Sequence, residues 1–126
     1  MNLPETYAAV CAKRPELAVF DKHRNVLTWA DGQPAFRVGF VVRDSAGNVS
    51  EADCLRFIDD ETAAALILAR WVEALPVNYW IGHLHSKDHM PIRWQVCGIT
   101  AQEIIESPNA PTPLEALAAY YLGDTT

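Results

Sequence analysis

The stretch Tyr79–Gly98, YWIGHLHSKDHMPIRWQVCG, decides the fold. Residues Asn78–His85 alternate, with Trp80, Gly82 and Leu84 on one side and Tyr79, Ile81, His83 and His85 on the other. Ile92–Cys97 alternates again, Ile92, Trp94 and Val96 against Arg93, Gln95 and Cys97. A period of two over aromatic and branched residues marks a strand with one buried face. Ser86–Met90 is polar, and Pro91 closes the link without having to donate a ladder hydrogen bond. The stretch therefore predicts a β-hairpin. Trp80, Leu84, Trp94 and Val96 point inward, and His83, His85, Arg93 and Gln95 lie on the open side.

Working outward, the residues before the hairpin predict a helix over Glu61–Leu75, capped by Asp59 or Asp60. Its apolar stripe runs Ala64, Ile67, Leu68, Trp71, Val72 and Leu75, and Pro76 ends it. Upstream, Phe36–Arg43 alternates cleanly, Asp44–Asn48 is a turn, and Val49–Phe57 returns antiparallel. Asp31-Gly32 is another turn. Leu17–Phe20 and Val26–Trp29 flank the polar Asp21–Asn25, as in a short hairpin. Pro4–Ala12 predicts a first helix, with Pro4 in its first turn and Pro15 beyond its end. After the hairpin, Thr100 and Glu103 form a capping box that predicts a short helix to Glu106. Thr112, Pro113 and Glu115 start a last helix with Leu114, Leu117, Ala118, Tyr121 and Leu122 on its apolar side. The fold class expected is α+β: an antiparallel sheet of four to six strands with helices packed mainly on one face. No linker divides residues 1–126, so a single domain is expected.

The chain has 126 residues and a net charge of −6. After Arg93 it carries no basic residue. Nucleic-acid binding needs clustered cations to displace counterions, so it is disfavoured. Three well-separated cysteines, Cys11, Cys54 and Cys97, without CxxC spacing, point to free thiols and a reducing compartment. The longest apolar run, Ala63–Ala69, is far short of a membrane span. A cytoplasmic protein with no membrane partner is expected.

Chemistry concentrates at the hairpin. His83 and His85 share one strand face, with Asp88 and His89 in the loop beyond. Two imidazoles at that spacing begin a transition-metal site, which needs three or four converging ligands. His83-x-His85 after a helix resembles the JAMM-type zinc isopeptidases and RadC-like proteins. That resemblance implies zinc and a hydrolase, but its Ser-x-x-Asp continuation falls here on Arg93 and Val96, which leaves out its third ligand and its serine. The alternative ligand set is His83, His85 and either Asp88 or His89. The residues form no nucleophile elbow, P-loop or dinucleotide fingerprint.

The C-terminal APTPLEALAAYYL, Ala110–Leu122, is similar to the closing helix of small phage and prophage proteins, where a TPxEAL start precedes an alanine-rich helix. The resemblance extends to the phage ABA-sandwich group and implies an accessory protein of a phage or mobile element. The function expected is binding to another protein without catalysis or cofactor, through His83, His85, Arg93 and Gln95. The alternative is a zinc-dependent, hydrolase-like domain at His83, His85, Asp88 and His89.

Overall fold

The computed structural model describes residues 2–84 and 93–123. Among them are α1 (Leu3–Lys13), a 3-10 turn (Pro15–Leu17), β1 (Leu27–Ala30), β2 (Gln33–Arg43), β3 (Val49–Phe57) and α2 (Asp60–Glu73). β4 (Tyr79–Leu84), β5 (Arg93–Ile99), β6 (Ile104–Glu106) and α3 (Pro113–Leu122) follow. The class is α+β with antiparallel pairing, as expected. The six described strands form two three-stranded sheets, β1-β2-β3 and β4-β5-β6. None of the described helices is long and apolar enough to cross a membrane. The chain divides into two compact units, Met1–Ala18 with Ala64–Thr126, and Val19–Ala63.

The larger unit is built around Trp71, which is fully buried on α2. Tyr7 of α1 stacks on it with centroids 6.5 Å apart, and Tyr121 of α3 meets it edge-on at 6.2 Å. The indole Nε1 donates to the Leu17 carbonyl at 3.1 Å, and the Tyr121 hydroxyl donates to the Trp71 carbonyl at 2.6 Å. A buried tryptophan needs such a partner for its N–H. Val10, Ile67, Val96 and Leu117 complete this core. Caps set the helix starts. Asn2 accepts from Glu5 N, Asp59 from Thr62 N, and Thr112 from Glu115 N. Each satisfies an otherwise orphaned first-turn donor.

The hairpin exists, but its register differs from the one expected. Tyr79 pairs with Gly98, Trp80 with Cys97, Ile81 with Val96, Gly82 with Gln95 and His83 with Trp94. Paired residues share a face. Tyr79, Ile81 and His83 therefore lie with Trp94, Val96 and Gly98, while Trp80 lies with Arg93, Gln95 and Cys97. Trp80 is 44% exposed, so Trp71, Trp80 and Trp94 do not share one buried layer. Gly98 is required where it is, because an added Cβ would come within 2.5 Å of the Tyr79 ring. Only the Thr100 half of the expected capping box forms, because Thr100 N donates to the Glu103 backbone carbonyl and not to its side chain, and the pair closes a tight turn. Thr100 Oγ1 accepts from Glu103 N at 3.1 Å, after which Ile104–Glu106 pairs with β5 as β6. Two consecutive isoleucines favour that strand over the helix expected there.

In the smaller unit, β1 and β2 are joined by Asp31 (φ 52) and Gly32 (φ 78), the two positive values of a type I′ hairpin turn. β3 runs over Val49–Phe57, the range expected for the antiparallel return after the Asp44–Asn48 turn. The short hairpin expected between Leu17–Phe20 and Val26–Trp29 is reduced to its tip: Phe20 bridges Val26 antiparallel, Asp21 N donates to Asn25 O at 3.0 Å and Leu27 N to Val19 O at 2.9 Å, while Leu17 ends the 3-10 turn and the ladder of β1 is with β2.

Candidate functional site

The structure separates the polar residues that alternation placed together. His83 is on the same face as Trp94, and the two rings stack at 4.2 Å with 20° between their planes. Arg93 is exposed on the other face. Gln95, on Arg93's face, is only 7% exposed. Its Nε2 donates to the Ser107 carbonyl at 3.2 Å, and Ser107 Oγ in turn accepts from Val96 N at 2.8 Å. Gln95 thus anchors the chain leaving β6. His85, Asp88 and His89 lie outside the described residues. Among the described residues, no group of three His, Cys, Asp or Glu side chains converges as a metal site.

The most exposed structure in the molecule is the ribbon made by β2 and β3. β2 pairs with β1 only from Gln33 to Phe36, but with β3 over nine positions from Ala35↔Phe57 to Arg43↔Val49. One side of the ribbon carries Val38, Phe40 and Val42 beside Cys54, Ala52 and Ser50, with no charge among them. The other side carries Arg37, Gly39, Val41 and Arg43 beside Leu55, Asp53, Glu51 and Val49. The four charges within the paired positions 37–43 and 49–55, Arg37, Arg43, Glu51 and Asp53, are therefore on one face. Alternation foresaw Phe36, Val38, Phe40 and Val42 on a common side. Phe36 is buried, but Phe40 is 45% and Val42 42% exposed.

Two loops of one design bracket this ribbon. In DKHRN and DSAGN the first aspartate accepts from the N–H groups of the third and fifth residues, and from the side-chain amide of the asparagine. The fourth residue takes a positive φ, 64 at Arg24 and 85 at Gly47. In the first loop Asp21 also accepts from Arg56 at 2.8 Å. Partial burial works against its charge, but the bonds from Asn25, His23 and Arg56 outweigh this and hold Asp21 down at about 2. Asp44 is likewise lowered, led by its bond from the Asn48 N–H.

An open cleft of about 550 Å³ lies beside the first loop, lined by Asp21, Lys22, His23, Asn25, Val38 and Arg56. The larger unit has an apolar cleft of about 370 Å³ among Leu3, Leu68, Pro113 and Leu114. The ribbon's exposure was missed because a period of two reports which residues share a side, not whether anything covers that side. The chain matches no family model, no curated protein and no solved structure with which it was compared.

Proposed function

We propose that this chain is a small cytoplasmic binding protein that docks another protein and acts without catalysis. The observation that carries the proposal is the uncharged side of the β2–β3 ribbon, where Phe40 and Val42 stand half exposed with Val38, Ala52 and Cys54. A lone two-stranded ribbon is marginal in water, so a partner that covers one side also stabilises it. Covering the exposed halves of Phe40 and Val42 contributes on the order of 1 kcal/mol each. The acidic balance of the chain favours a protein partner over nucleic acid. The TPxEAL helix start supports an accessory role in a phage or prophage, and a host complex such as a defence assembly is the partner that role suggests.

The test is capture from the source cell with the tagged chain and with a Phe40→Ser, Val42→Ser variant. Both side chains are exposed, so circular dichroism and the melting temperature should show the fold retained. A specific partner should be held by the parent chain and lost from the variant. Equal capture by both removes the ribbon face as the binding site.

A further inference from the structure

We infer that a second copy of this chain completes the ribbon. The β2 edge of one copy pairs antiparallel with the β2 edge of the other, Val41 opposite Val41, giving one four-stranded sheet. This goes beyond the proposed partner, which uses the face of the ribbon and not its edge.

The backbone supplies the first reason. In an antiparallel strand the N–H and C=O of one residue point to the same side, and successive residues point to opposite sides. Arg37 N donates to Val26 O at 3.2 Å, on the β1 side, whereas Pro34 O accepts from Ile58 N at 3.0 Å, on the β3 side. Gly39, Val41 and Arg43 therefore aim their N–H and C=O groups away from β3. Among the described residues no strand pairs with β2 there, since β1 stops at Phe36. Residues 39–43 are all exposed. An open edge of this kind is a template for another strand.

Charge and space choose the occupant and the register. A two-fold pairing centred on Phe40 sets Arg37 against Arg43 of the second copy, like charge against like. Centring on Gly39 sets Arg43 against Ala35, where β1 already sits. Centring on Val41 sets Arg43 against Gly39, Val42 against Phe40 and Asp44 against Val38. The first two of these contacts are complementary. Gly39 has no positive φ, lies in an unbroken register, and has no atom within 4 Å of an added Cβ, so nothing among the described residues requires glycine there. In the pairing, Arg43 of the second copy crosses that gap toward Asp53, the cross-strand neighbour of Gly39, and shares its carboxylate with Arg37, which meets it at 3.4 Å within the chain. Among the described residues Arg43 makes no ion pair of its own. Val42 against Phe40 is a favourable branched–aromatic pair.

The contact is short, well under the roughly 1,200 Å² of a standard interface, so the dimer is weak and concentration-dependent. Sedimentation equilibrium of the full chain, run up to about 1 mM, should show a monomer–dimer equilibrium. Arg43→Asp and Asp53→Arg should each weaken it about tenfold or more. An equimolar mixture of the two variants should restore the dimer, because each carries the charge that the other has lost. A monomer at every concentration overturns the inference. So does a dimer indifferent to both substitutions, or a mixture no better than its components. If either charge variant fails to fold, Val41→Pro serves instead, since it removes an N–H that the chain's own hairpin does not use. Dimerisation unchanged in that variant is equally fatal. Arg43→Asp lies on the charged side and leaves Phe40 and Val42 in place, so partner capture by that variant is read independently of the dimer, and failure here is separable from failure of the proposed function.

Discussion

His83 lies flat against Trp94, 4.2 Å between ring centroids, directly across the β4–β5 ladder. That contact belongs to a register in which His83 pairs with Trp94 and Trp80 with Cys97, and it turns Trp80 away from Trp94. Trp71 and Trp80 should therefore behave differently on truncation. Trp71→Ala removes a fully buried ring and both of its aromatic neighbours' contacts, and should cost about 3–5 kcal/mol. Trp80→Ala should cost only about 1–2 kcal/mol, because nearly half of Trp80 is already in water. Urea titrations of the two variants decide the matter. Equal losses mean that the register is wrong.

Tyr121 should make stability sensitive to strong base. Burial, with Tyr120 adding to it, pushes its phenol up to about 12. A phenol held protonated by the fold contributes stability that is intact below its unfolded value near 10 and is lost as pH rises from there toward 12. Tyr121→Phe should flatten part of that alkaline fall. At neutral pH it should lower stability by about 1–2 kcal/mol through the bond lost to the Trp71 carbonyl. An alkaline melt identical to that of the parent would show that Tyr121 is not the group responsible.

The twin loops offer a comparison within one chain. Asp21 and Asp44 make the same three loop bonds, but Asp21 adds the Arg56 pair. Its carboxyl is held at about 2, so its contribution is present above roughly pH 4 and is lost as pH falls toward 2. Asp21→Ala should lower the melting temperature at pH 7 more than Asp44→Ala does. The gap should close when Arg56 is also replaced by Ala. A gap that survives Arg56→Ala assigns the difference to something other than the ion pair.

Much of the fold was legible where local chemistry decides it. Thr112, Pro113 and Glu115 start α3 as their spacing indicates, and Asp59 caps α2. Val49–Phe57 is the returning strand that the Asp44–Asn48 turn indicates. The hairpin at Tyr79 was legible as two strands, but its pairing was not. Alternation assigns sides within each strand, and the relation between strands depends on the parity of the register. Here even positions of β4 meet odd positions of β5, which sent His83 and Arg93 to opposite faces. Gln95 shows the same limit. A polar residue in a strand was expected on the open side, yet the Ser107 carbonyl, twelve residues along, gives its amide a reason to be buried. The ribbon was visible as a strand pair. Its exposure was not, because exposure follows from what does not pack against it.

The clamp on Trp71 has a consequence for the order in which the chain takes shape during synthesis. Its partners are Leu17, 54 positions earlier, and Tyr121, 50 positions later, and Lys13 reaches the Leu122 carbonyl across 109. A ribosome that has released residues 1–63 has delivered the whole ribbon unit and only the first helix of the other. The ribbon's contacts span short distances along the chain and form early, whereas pairings this remote wait for both ends. Tyr7 of α1 therefore has no ring to stack on until Trp71 of α2 has emerged, and the edge-on wall that Tyr121 adds comes only with α3. The larger unit is closed by α3, and loss of that helix should leave Trp71 without one of its two aromatic neighbours.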